Sequence, residues 1–95
     1  MDTTIKNKIS NYFKQKPVVK AYIFGSQAKG TSNAESDLDI LVELDHTSPI
    51  GLKFVQMQLD LQELLNLDVD LVTYQSLSKY IRPNVDREKE LIYER

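Results

Sequence analysis

The sequence predicts a two-layer α/β (α+β) domain, a small mixed β-sheet with helices packed on one face. Three observations carry this reading. Asp37–Glu43 and Asp68–Thr73 alternate apolar and polar residues with the period of a half-buried strand. Val18–Phe24 is dense in β-branched and aromatic residues. Around these segments lie stretches with helical apolar spacing, which gives the order α-β-loop-β-α-β-α-(β). A length of 95 residues allows one small domain, residues 1–95.

The first helix follows from Thr3 or Thr4 as a cap and from Ile5, Ile9, Tyr12 and Phe13 as its apolar stripe, with Pro17 as a stop. After the Val18–Phe24 strand, Gly25–Glu35 is a polar, glycine-bearing stretch and reads as a loop or a short helical turn. In the second strand Leu38, Ile40, Val42 and Leu44 share one face, and Asp37, Asp39, Leu41 and Glu43 share the other. A turn at His46–Pro49 leads to a long helix from about Ile50 to Asn66. This helix carries two apolar stripes. Ile50, Phe54, Met57, Leu61, Leu64 and Leu65 form the core stripe, and Leu52, Val55 and Leu59 form a second on nearly the opposite side, which suits a partner or a second core contact. The third strand points Val69 and Leu71 one way and Asp68, Asp70 and Val72 the other. A last helix is expected around Ser76–Glu88, and a short edge strand at Leu91–Tyr93.

Composition narrows the chemistry. The absence of cysteine excludes disulfide scaffolds, zinc ribbons and thiol nucleophiles. No apolar run approaches the roughly 20 residues that span a bilayer, and the N-terminal segment lacks a signal-peptide core, so a cytoplasmic protein is expected. The net charge is −2, but its distribution is uneven. Residues 1–20 are basic, with five lysines against Asp2, whereas residues 21–70 hold nine carboxylates against Lys29 and Lys53. An acidic centre is poorly suited to a nucleic-acid backbone and well suited to a cation. His46 reads as a solvated loop residue.

Asp37 and Asp39 are two apart on a strand, so their carboxylates leave the same face. Such a pair can hold one or two hard divalent cations. Asp70, between Val69 and Leu71, is the candidate third carboxylate on a neighbouring strand. An Asp-x-Asp pair is common at strand ends, and the preceding loop makes this one more specific. Gly25-Ser26 follows directly on a strand, where a glycine lets backbone amides approach an oxyanion closely. Lys29 is the only basic residue between Lys20 and Lys53 and suits a triphosphate. Neither a Walker A spacing nor a GxGxxG motif is present.

The string GSQAKGTSNAESDLDILVELD resembles the nucleotidyltransferase motif of the DNA polymerase beta superfamily, in its minimal, MNT-type branch. That branch usually reads Gly-Ser-x-Ala-Arg-Gly, then Ser-Asp-x-Asp. LDVDLVTYQSL is similar to the family's third-strand segment, with Asp70 at the third carboxylate. The resemblance runs from Val18 to the tail, and Lys29 is a departure, standing where the family more often has arginine. Lysine keeps the charge and loses the bidentate fork.

The resemblance implies a minimal nucleotidyltransferase fold and transfer of AMP from ATP to a hydroxyl. Asp37, Asp39 and Asp70 would be the catalytic and metal-binding residues, with two Mg²⁺ ions, and Gly25, Ser26, Lys29 and Ser36 would bind the nucleotide. It further implies a HEPN-type ribonuclease toxin as protein acceptor, adenylylated on tyrosine by this chain as antitoxin, with no direct nucleic acid or membrane partner. Two alternatives stay open, a binding-only antitoxin acting by occlusion and a small-molecule nucleotidyltransferase subunit of aminoglycoside type.

Overall fold

The computed structural model describes residues 3–25, 38–47 and 50–95. In chain order these form α1 (Thr3–Phe13), β1 (Val18–Phe24), β2 (Leu38–Leu44), α2 (Gly51–Leu65), β3 (Val69–Thr73), a 3₁₀ turn (Tyr74–Ser76), α3 (Arg82–Glu88) and β4 (Glu90–Glu94). The four strands make one mixed sheet in the order β3-β2-β1-β4. β1 is antiparallel to both β2 and β4, and β2 is parallel to β3. A parallel pair needs a crossover, which α2 supplies.

The alternation in the strands becomes the main core. Val18, Ala21, Ile23, Leu38, Ile40, Val42, Val69, Leu71 and Tyr93 pack under Ile9 and Phe13 of α1 and Met57 and Leu61 of α2. Val18 and Ala21 both face this core although they are three apart, because a register shift between Val18 and Lys20 accommodates one extra residue. The long helices α1 and α2 therefore cover one face, as expected.

The opposite face carries a second, smaller core. Leu41 is buried under Leu77 and Val85, with Tyr22, Phe24, Val72 and Tyr74 around it. The expected Ser76–Glu88 helix is shorter than its sequence suggests. Thr73 and Ser76 close a capping box around the 3₁₀ turn, and α3 begins only at Arg82, with proline in its first turn. Proline there lacks only an N–H that no helical partner would accept, so it starts a helix more readily than it continues one. α2 also differs in detail. Met57 and Leu61 are buried, but Leu64, expected in the core, is 42% exposed at the margin of the stripe. Leu52, Val55 and Leu59 are 85%, 54% and 50% exposed, so the second stripe faces solvent.

β3 is an edge strand, and α2 protects it. Gln62 Oε1 accepts from the Val69 amide at 3.2 Å and Gln58 Oε1 from the Leu71 amide at 3.1 Å. One helical turn separates the two glutamines, so α2 satisfies two outward N–H groups that would otherwise invite another strand. Replacing Gln58 and Gln62 together by alanine is expected to cost about 1–3 kcal/mol, about 0.5–1.5 per bond, measured as a fall in urea midpoint with unchanged slope.

Arg95 ties the end of β4 to the end of β2. Its Nη1 lies 2.6 Å from Asp45 Oδ2, its Nη2 donates to the Lys16 carbonyl at 3.2 Å, and its amide donates to the Val19 carbonyl at 2.8 Å. The Arg95 guanidinium, then the Thr47 hydroxyl and amide, hold the Asp45 carboxyl well below the usual carboxylate range. A depressed folded-state pKa gives stability that is present above the unfolded value, near 3.8, and is lost as pH falls through the folded one. Arg95→Ala is therefore expected to flatten the acid limb of thermal stability below about pH 4, read by melting curves at stepped pH.

Candidate functional site

The sheet topology brings three of the expected residues to one end. β1 runs toward that end, and β2 and β3 start from it, because β1 is antiparallel to β2 and β2 is parallel to β3. Gly25 directly follows β1, Asp39 is the second residue of β2, and Asp70 is the second residue of β3. In register, Phe24 is opposite Asp39, and Asp39 is opposite Asp70. Adjacent strands lie ~4.8 Å apart, so the two carboxylates emerge side by side.

Burial selects their face. Leu38 and Ile40 flank Asp39 in β2, and Val69 and Leu71 flank Asp70 in β3, all four buried in the main core. Both aspartates thus project from the opposite face, Asp70 exposed and Asp39 half-buried. A slip of one residue in either strand would drive a carboxylate into the core and its apolar neighbours into water. The register of the aspartates is therefore enforced by their neighbours.

Gly25 packs against Asp39. Its φ is +77°, in the left-handed region, and a Cβ built on it would lie 2.5 Å from Asp39 Oδ2. The Asp39 carboxylate occupies the space that a side chain at position 25 would fill. Glycine is required there twice, for its backbone conformation and for its missing side chain.

A hard divalent cation fits this donor set. Carboxylate oxygens on adjacent strands, next to backbone that carries no side chain, are the ligands such ions take. Asp39 and Asp70 are two such donors, and among the described residues no cluster of three or more His, Cys, Asp or Glu is arranged to hold a metal. Asp37, Ser26, Lys29 and Ser36, the other site residues expected from the sequence, lie outside the described residues.

The face that bears the aspartates carries a polar network that sequence reasoning missed. Tyr22 Oη donates to Glu43 at 3.1 Å, Tyr74 Oη donates to Asp86 at 2.8 Å, and Lys89 Nζ donates to Asp86 at 3.0 Å. Lys89 also sits 4.6 Å from the centre of the Tyr22 ring. Partial burial and the Glu43 carboxylate push the Tyr22 hydroxyl up, while the Tyr74 hydroxyl and then Lys89 hold Asp86 down. The signal was the alternation of Tyr22 and Phe24 on the aspartate face, which left two aromatic rings in need of cover. Leu77 and Val85 supply it. Phe24 thereby becomes a packed neighbour of the Asp39 position.

Comparison with known proteins follows the same lines. Residues 7–95 match the family model described as Polymerase beta, Nucleotidyltransferase. A Methanocaldococcus jannaschii protein, provisionally named a protein adenylyltransferase, is 36% identical over 92 residues, covering 94% of this chain and 90% of the relative. Protein adenylyltransferase MntA of Thermococcus cleftensis is 42% identical over 66 residues, covering 70% of this chain and 66% of that protein. Among solved structures, one chain of a toxin–antitoxin crystal structure with AMP-PNP superposes with a TM-score of 0.78 at 27% identity, covering 95% of this chain and 73% of that one. Among the described residues no helix is long and apolar enough to cross a membrane.

Proposed function

The chain belongs to the polymerase beta nucleotidyltransferase family, and from that premise we propose that it transfers AMP from ATP to a hydroxyl of a HEPN-type toxin, tyrosine being the expected acceptor, and so acts as a cytoplasmic antitoxin. The observation that carries this reading is the pairing of Asp39 with Asp70 across parallel strands, with Gly25 closed down on Asp39. The protein adenylyltransferases among its relatives and the AMP-PNP in a structural neighbour support AMP as the transferred group.

Each residue has a distinct part. Asp39 and Asp70, with Asp37, would hold Mg²⁺, which when bound neutralises phosphate charge during the displacement. Gly25, whose missing side chain makes room for the Asp39 carboxylate, would bring backbone beside the phosphates that Ser26, Lys29 and Ser36 would contact. Asp70, exposed at the rim, accepts a hydrogen bond from the acceptor hydroxyl and orients it. The acceptor oxygen bonds to the α-phosphorus, the bond to the β-phosphate oxygen breaks, pyrophosphate leaves, and the hydroxyl proton passes to a carboxylate at the site.

The test is to incubate the chain with Mg-ATP and the HEPN-type protein encoded beside it, and to weigh that protein. A gain of one or more AMP units is expected. An unmodified partner that is nonetheless inhibited would replace this reading with occlusion, which the solvent-facing Leu52, Val55 and Leu59 would serve.

A further inference from the structure

The polar network on the aspartate face ties one helix across the sheet. At its start, Arg82 Nε donates to the carbonyl of Tyr74, just past the end of β3, at 3.2 Å. In its middle, Val85 is buried over Leu41 of β2. At its end, Lys89 lies 4.6 Å from the centre of the Tyr22 ring in β1. α3 therefore crosses three strands. Among the described residues it is the only α-helix on the face that bears Asp39 and Asp70.

A helix of 7 residues is about 10 Å long and too short to persist without tertiary support. Val85 is its one buried side chain. Tyr74 holds it further with three separate groups. The carbonyl takes Arg82 Nε, the ring centre lies 5.2 Å from the Arg82 guanidinium carbon, and the hydroxyl donates to Asp86 at 2.8 Å. Lys89 Nζ donates to the same Asp86 carboxylate at 3.0 Å, which links this latch to the Tyr22 ring.

What α3 covers is the support of the aspartate pair. Val85 and Leu77 pack with Leu41, and Phe24 packs against the same cluster. Phe24 is opposite Asp39 in the register of β1 and β2. The next residue is Gly25, whose missing side chain makes room for Asp39 Oδ2. The contacts of the Phe24 ring with the second core therefore bear on where Gly25 meets the carboxylate.

We propose that α3 is a brace that fixes Phe24, and through it Gly25 and Asp39, and that Tyr74 is the positioning residue that holds the brace. Tyr74 lies four residues past Asp70, about 13 Å along the chain, so it acts through α3 and not on a substrate. The proposal rests on the AMP-transfer reading above and adds to it a residue remote from the chemistry.

The experiment reads AMP transfer to the HEPN-type partner, melting temperature and amide hydrogen exchange in the same variants. Tyr74→Phe removes the bond to Asp86 and keeps the ring beside Arg82, whereas Tyr74→Leu removes both. The first is expected to lower kcat about 3- to 10-fold and the second further, with either KM changed less than about twofold. Exchange at Phe24 and Gly25 should quicken in the same order. Asp86→Ala should lower kcat like Tyr74→Phe, and the two together should be no slower than Asp86→Ala alone. Asp86→Asn, which keeps an acceptor for the hydroxyl, should restore most of the rate. Ile9→Val, a change in the main core on the other face, is the control. It should lower the melting temperature without lowering kcat or quickening exchange at Gly25. A wild-type kcat in Tyr74→Leu overturns the proposal, as does an equal loss of kcat in Ile9→Val. Absence of AMP transfer by the unaltered protein removes the transfer reading instead, and exchange at Phe24 and Gly25 then decides the brace by itself, unchanged rates in Tyr74→Leu overturning it.

Discussion

Asp39→Asn is expected to abolish AMP transfer while leaving the fold and the partner complex intact. Asparagine matches the size of aspartate but removes its charge and one acceptor oxygen. Asp39 sits between Phe24 on one side and Asp70 on the other, in register with both, and its Oδ2 fills the space above Gly25. Its flanking residues Leu38 and Ile40 still hold the strand, so melting temperature should change little. Loss of a metal carboxylate removes several kcal/mol of charge stabilisation, a drop on the order of 10³-fold or more in transfer rate. The measurement is single-turnover labelling of the partner beside a circular-dichroism melt. Retained labelling would remove Asp39 from the metal site, and a collapsed melt would make it a structural residue instead.

Gly25→Ala should be the second most damaging change, for a different reason. The added Cβ would fall 2.5 Å from Asp39 Oδ2, so either the loop or the carboxylate must move. The φ of +77° adds about 1–2 kcal/mol of backbone strain for a residue with a side chain. A displacement of about 1 Å at a reacting centre can cost ~10²-fold in rate. We therefore expect about that loss in kcat, together with about 1–2 kcal/mol of stability, read from transfer kinetics and urea titration. The double variant with Asp39→Asn should be scarcely slower than Asp39→Asn alone, since both changes act on one carboxylate. Additive losses would mean that Gly25 acts on the nucleotide independently of Asp39.

The strands were legible because each buries one face and exposes the other. Leu38, Ile40, Val42, Val69 and Leu71 announced both the core and, by alternation, the face on which Asp39 and Asp70 emerge. The helix boundaries in the tail were less legible. Tyr80, Ile81 and Pro83 give no clean period, and the Thr73–Ser76 capping box opens a 3₁₀ turn where a helix was expected, with α3 starting only at Arg82. The second core was not legible either. Leu41 lies among Asp39 and Glu43 and looks like an isolated apolar residue until Leu77 and Val85 reach it from far along the chain.

The sequence by itself determined which face of each strand its side chains leave, because alternation is a local property of extended backbone. It also determined that α2 has more apolar surface than one core can use. Only the tertiary structure decided that Asp39 and Asp70 lie on adjacent strands, that Gly25 rests on the Asp39 carboxylate, and that Leu52, Val55 and Leu59 stay in solvent. Strand order and register set these relations, through hydrogen bonds between segments tens of residues apart, and no local pattern encodes which strands become neighbours.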